Sequence, residues 1–422
     1  MGAQNVILKV AIIIPLFLSK LCLAQPSTTA GATMDDSGKH EFIQQAKKDT
    51  PDYSTAFNIL TRQVKQHPGN AEYRYFLAYT IDRMHAVDAR DMDHLQIGMT
   101  IEASEQLEEV NRLEPLYRGE LFLSDPYSKL TSIWGSLALA YLNRKERDSA
   151  NWALREGKRR GGFIDAVLSF NRRLLNSCEQ NAILITRGDN ITFSTAYLQL
   201  IENYRSDITI VNADMFNTHW YPKYMKADHH LKLRYTEAEL DTISYREWQS
   251  RQIAIRNPTT PSQKFSWQLD PTYGDEYLLR SDIILLDMIE QNLFTRPIYF
   301  NNNSDSTYNL FLSGCLQDEG LVNKLSTGKI DGTVISKNLD HYNMEGIQKD
   351  DITKSTDALN MVNGFRWTYI NNIYRLWTLE QYDKARELFK RMNEKFKREE
   401  LPYASAEMEK YFTDFSKFLN KE

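Results

Sequence analysis

The sequence predicts a mixed α+β fold, with helical repeats flanking a small three-layer α/β domain whose short sheet is mostly parallel. Three observations predict it. Small and large apolar residues recur at helical spacing through residues 40–176. At residue 177 the pattern changes to short apolar runs separated by an amphipathic helix, and this continues to residue 350. From 351 to 422 the helical spacing returns.

Taken in chain order, residues 1–24 have the parts of a secretory signal peptide. Lys9 gives a weakly positive start, Val10 to Leu18 an unbroken apolar run, and Cys22 and Ala24 the small residues before a cleavage at Gln25. A membrane span needs about 20 apolar residues, and Ser19-Lys20 interrupt this run too early. Acylation at Cys22, as in a lipoprotein, is disfavoured because Lys20 stands where a small residue is expected. The expectation is a periplasmic or extracellular protein with no transmembrane segment after cleavage. Residues 25–39, rich in Ser, Thr, Ala, Gly and Asp, read as a flexible linker.

Charge and cysteine content narrow the chemistry. Cleavage removes two of the 51 basic residues and none of the 56 acidic ones, so a net charge of −5 becomes −7. A mildly acidic chain without a basic patch argues against nucleic acid as a partner. Cys178 and Cys315 remain, either as one disulfide in an oxidising compartment or as two small buried hydrophobes. His229-His230 are adjacent, which does not set two ligands on one helical face, so no metal is expected there. No cofactor is expected either, because the chain lacks a GxGxxG turn and a P-loop. A GxSxG elbow is also missing.

Within 40–176, Trp134, Leu137, Ala138, Tyr141, Ala150, Leu154 and Gly157 have the residue types of a 34-residue helix pair in which small residues mark the close crossing. Gly161-Gly162 stand where a proline usually ends the second helix. An earlier unit starts at Ala71, carries Leu77 and Ala78, is interrupted around Asp88–Asp93, and resumes with Ala103, Leu107, Val110 and Pro115. Ala56, Leu60 and Pro68 fit the second helix of a unit before it. Near the C-terminus, Tyr369, Ile373 and Leu376 pair with Ala385, Phe389 and Met392. These segments resemble the tetratricopeptide repeat family, which implies binding of a protein partner through a helical surface.

In 177–350, Ala182–Thr186 is a continuous apolar run suited to a buried parallel strand. Arg187-Gly188-Asp189-Asn190 reads as a turn, and Thr192–Tyr204 as a helix capped by Thr192. Ile208–Val211 is a second strand, giving a βαβ unit. Tyr277–Phe294 reads as a helix leading into a third strand, Pro297–Phe300. Residues 223–273 read as an irregular surface excursion. Ligands of parallel sheets bind at the carboxyl ends of strands. The candidates there are Arg187, Asp189 and Asn190, then Asn212 and Asp214, then Asn301, with Asn217, His219, Trp220 and Tyr221 just beyond the second strand. Amides and carboxylates beside a stacking Trp220 face would suit a glycan. Asp189 and Asp214 form a candidate pair for acid/base work.

Residues 181–221, 280–300 and 316–325, including the GDN turn, the NTHWY segment and RSD…RPIYF, resemble the soluble extracytoplasmic region of a bacterial protein O-mannosyltransferase-like membrane protein family, over about 180–422. The resemblance implies an extracytoplasmic α/β region followed by helical repeats. Where the family turn continues with a second Asp and a proline, this chain has Ile191 and Phe193-Ser194-Thr195, and the membrane part is missing. The expectation is a non-catalytic scaffold or binding protein accessory to envelope protein glycosylation, with a glycan-binding or glycan-processing module as the alternative.

Overall fold

The computed structural model describes residues 35–86, 92, 94–301 and 307–420. The expected signal peptide, most of the linker and most of the interruption at 88–93 lie outside the described residues. The linker's last residues are not all loop, because a helix starts at Ser37.

Among the described residues seven α-helices precede the sheet: α1 (Ser37–Gln45), α2 (Ser54–Gln66), α3 (Ala71–His85), α4 (Ile97–Leu113), α5 (Pro126–Asn143), α6 (Arg147–Arg159) and α7 (Asp165–Asn176). Each packs on its neighbour from α1 through α6. Their starts have stated chemical causes. Asn70 accepts from the Tyr73 amide at 2.9 Å and caps α3. Asp125 accepts from the Ser128 amide at 2.9 Å, with Pro126 in the first turn, and caps α5. The crossing of α5 and α6 depends on a residue without a side chain. A Cβ on Gly157 would lie 2.5 Å from the Trp134 Cβ, so only glycine lets the helices approach this closely. Trp134 is fully buried and its indole donates to the Ser104 hydroxyl at 2.8 Å, which ties α5 to α4. Helix α6 ends at Gly161-Gly162, whose amides donate to the carbonyls of Lys158 and Gly157 at 3.1 and 2.9 Å. That is the double bond of a Schellman cap.

The sheet follows. Strand β1 (Ile183–Thr186) leads into α8 (Asp189–Glu202) and β2 (Thr209–Asn212). After α9 (Tyr221–Asp228) and α10 (Glu237–Thr242) come β3 (Arg246–Glu247), β4 (Arg251–Arg256), β5 (Lys264–Leu269), β6 (Tyr277–Leu278) and α11 (Arg280–Asn292). Strands β7 (Ile298–Asn301), β8 (Leu316–Asp318) and β9 (Val322–Leu325) complete it. The strand order is β2-β1-β7-β9-β8. β1 pairs parallel with both β2 and β7, in register Ile185 to Val211 and to Phe300. β9 runs antiparallel to β7 and β8. The sheet is therefore mixed rather than mostly parallel, because the QDEGLVN segment folds back as a hairpin and adds two antiparallel strands. All four β1 residues are buried, so both faces of the sheet centre are covered.

Two further expectations are corrected. The stretch 223–273 is not irregular, since β4 and β5 form a hairpin with Ile253, Ile255, Phe265, Trp267 and Leu269 alternating inward. The helix expected from Tyr277 starts at Arg280. Tyr277–Leu278 pair instead with β3, and Asp282 accepts from the Leu279 amide at 2.9 Å to set the helix start.

The chain closes with α12 (Lys349–Thr353), α13 (Thr356–Thr378), α14 (Tyr382–Lys395) and α15 (Ala406–Leu419). Helix α13 packs on α14 and returns to α7, with Phe365 set 5.1 Å from Phe170. One apolar core runs from Phe42 to Leu419 without a break. Cys178 and Cys315 are free thiols. Cys178 sits in that core, and burial raises its pKa.

Candidate functional site

The place where strand order reverses is a recurrent ligand site in open α/β sheets. Here it lies between β1, whose βα unit builds β2 on one side, and β7, which is added on the other. At the carboxyl ends of β1 and β7 there is a small depression, open to solvent. Ile185, Phe300 and Leu316 line it with apolar surface, and Arg187, Asn301, Tyr308 and Asn323 with polar groups.

Arg187 organises this depression. Its amide donates to the Asn301 Oδ1 at 3.0 Å, which joins the ends of the two strands. Its guanidinium lies 4.0 Å from the centre of the Tyr308 ring and pairs with the Asp214 carboxylate. Burial pushes the Asp214 carboxyl up from its usual range and the Asp189 charge adds to that, while Arg187 pulls the other way. Because 56% of the Asp214 side chain remains open to water, solvent screens this push and leaves it weak.

The other expected residues are engaged elsewhere. Asp189 and Asn190 do not form a turn. They are the first two residues of α8, which Gly188 enters at φ +86°, so Thr192 is inside the helix rather than capping it. Their side chains face α5: Asp189 accepts from the Ser132 hydroxyl at 2.6 Å, and the Asn190 amide donates to the Ser128 hydroxyl at 2.8 Å. Asn212 accepts from the amides of Asp214 and Met215 at 3.0 and 3.3 Å and its amide group donates to Thr192 at 3.2 Å. Asn217 accepts from the Ser281 amide at 3.0 Å and anchors the start of α11. These are local turn and cap duties.

The expected stacking ring is corrected outright. Trp220 is 9% exposed and packs edge-on to Tyr221 at 5.6 Å. Tyr221 is itself buried, and its hydroxyl accepts from the Asn212 amide at 2.9 Å. Neither offers a face to a sugar. His219 is exposed, 3.7 Å from Asp241, in a cluster with Lys223.

The structure thus brings together Arg187, Asp214 and Asn301, and adds Tyr308, which the sequence reading missed. Tyr308 is 41% exposed. It lies beyond the third strand, in a segment whose sequence has no periodic signal to mark it.

The fold and this depression define a mixed α+β protein in which helical segments before and after a five-stranded mixed sheet flank a strand-end depression. A family model described as TMEM260-associated domain 2 matches residues 167–270 and 249–345. TMEM260 is protein O-mannosyltransferase-like, so the match agrees with the resemblance stated above for this region. The matched span opens inside α7 and stops before α12, so it holds the whole sheet and its depression. No curated protein matches the sequence. Among the described residues no helix is long and apolar enough to cross a membrane.

Proposed function

We propose that the protein is an exported, non-catalytic scaffold in the periplasm or cell envelope, accessory to envelope protein glycosylation, which binds a protein partner through its tetratricopeptide-like helices. The observation that carries this reading is how the strand-end polar groups are used. Asp189 and Asn190, the first two residues of the βα helix, bond to Ser132 and Ser128 of α5. A catalytic or sugar-binding pair in their position would instead turn its oxygens toward the strand ends. The glycine-dependent crossing at Trp134 and Gly157 supports the repeat reading, and the TMEM260-associated match supports the link to glycosylation.

The partner surface would include α6. Its Trp152 is 42% exposed and extends the buried Trp134 ring outward at 5.7 Å. A photo-crosslinking residue at position 152, applied in intact cells, should capture one dominant partner from the envelope fraction, and the mature N-terminus should read Gln25. Random capture, or a mature chain that retains Met1 in the cytosolic fraction, would overturn the reading.

A second reading, a glycan-binding or glycan-processing module, is favoured by one observation: the depression lies at the sheet's order reversal with Arg187, Asn301 and Tyr308 around it. Glycan-array binding that is lost in both Arg187→Ala and Tyr308→Ala would establish it. Binding that persists in both, or is absent from the wild type, would remove it.

A further inference from the structure

We propose that Asp125 and Asp357 form a proton-operated clasp, in which a proton on the Asp357 carboxyl lets the starts of α5 and α13 stay together and its loss loosens the seam between them. The inference does not depend on the scaffold reading.

The geometry is reciprocal. The Asp357 amide donates to the Asp125 Oδ2 at 2.9 Å, and the Asp125 amide donates to the Asp357 Oδ2 at 2.9 Å. The Ser355 hydroxyl donates to the Asp125 Oδ2 at 2.6 Å, and the Ser128 amide to its Oδ1 at 2.9 Å. Two helix starts, 232 positions apart in sequence, therefore meet through two carboxyl groups. A second negative charge beside Asp125 is disfavoured, and together with burial this favours a proton on the Asp357 carboxyl. Asp125 is buried and accepts three of these bonds. Asp357 is half-buried and takes the proton.

The surroundings leave the pair little other compensation. Beneath it lies a small apolar cluster of Tyr127, Ile164, Val167 and Ala358. Lys354, the cation just before α13, is paired with Asp351 at 2.6 Å and sits over the Tyr127 ring at 5.4 Å. Lys129, one turn into α5, is engaged with Asp82 at 2.6 Å. From α8, the neutral Asn190 amide reaches Ser128.

Burial first, and the Asp125 charge second, push the Asp357 carboxyl up to about 7. A carboxyl raised in the folded state takes up a proton on folding. Its contribution is full below the ordinary aspartate range near about 4, and is lost as the pH rises through about 7. The clasp is closed in mild acid and opens toward mild alkali.

The test is hydrogen exchange, corrected for intrinsic rates, of the whole chain at pH 6 and 8.5, with Asp357→Asn as the uncharged isostere. In the wild type, protection in peptides covering the starts of α5 and α13 should fall by about tenfold or more between the two values. In Asp357→Asn it should stay constant. Wild-type protection that does not change, or a parallel fall in the variant, overturns the proposal. If Asp357→Asn does not fold, the wild type decides alone: a fall confined to those two helix starts supports the clasp, and no fall or a uniform one overturns it.

Discussion

The side-chain amide of Asn190, in the first turn of α8, donates to the hydroxyl of Ser128, in the first turn of α5, at 2.8 Å. One turn further along α5, Ser132 donates to Asp189 at 2.6 Å. Two adjacent residues that read as a strand-end ligand turn are thus a splice between the helical block and the sheet.

That splice sets the first prediction. Asn190→Ala should lower stability by about 1–2 kcal/mol, because it removes a half-buried bond between α8 and α5. Asp189→Ala should cost less, about 0.5 kcal/mol, since its bond to Ser132 is exposed. Urea titrations of the two variants would check the order. A larger loss for Asp189 would mean that its carboxylate has a role the α5 contact does not explain.

The helix crossing gives a second. Gly157→Ala adds a methyl where the Trp134 Cβ already stands at 2.5 Å. The better helix propensity of alanine, about 1 kcal/mol, should be outweighed by overpacking of about 1–3 kcal/mol. A lower melting temperature is expected, with α5 and α6 losing exchange protection together.

Arg366 gives a third. It is 1% exposed and donates to the carbonyls of Phe396 and Leu401 at 2.8 and 2.6 Å, and to the Asn363 side chain. Burial pulls its pKa down to about 10, so it stays charged at neutral pH. Arg366→Leu should leave these acceptors unpaired at the end of α14 and cost about 3 kcal/mol, read as a shift in the denaturant midpoint. Arg366→Lys should recover only part of the loss, because one ammonium cannot span the same fork.

The fourth concerns acid. Hydrogen bonds from Arg159 and Arg160 hold the Glu156 carboxyl down at about 2. A carboxyl lowered in the folded state adds stability above its unfolded value, about 4.3, and loses it as the pH falls toward about 2. Since the Arg159 side chain is 63% exposed, the loss should be modest, about 1 kcal/mol. Glu156→Gln should show a smaller drop in urea midpoint between pH 6 and 3 than the wild type does.

The helices were legible because burial along them repeats every three or four residues, as in Leu137, Ala138, Ala150 and Leu154. The strand at 183–186 was legible because it is apolar on both faces. The β4–β5 hairpin was also legible in principle. RQIAIR and KFSWQL alternate strictly, and the prolines at 258 and 261 mark the turn between them rather than disorder. What sequence could not supply was side-chain direction. Nothing in HWY tells that Trp220 turns inward, and nothing in GDN tells that a helix starts at the aspartate. Both depend on which neighbour arrives, Tyr221 in one case and α5 in the other.

The seam at α13 also has a consequence in time. Tyr127, Ile164 and Val167 form their small apolar cluster only with Ala358 and Met361. Closing it means bringing together segments more than 190 residues apart, which topology makes slow. During synthesis these three side chains would stay uncovered until α13 emerged. A chain stopped at the end of the sheet would keep them uncovered permanently, a ready surface for chaperones or for aggregation.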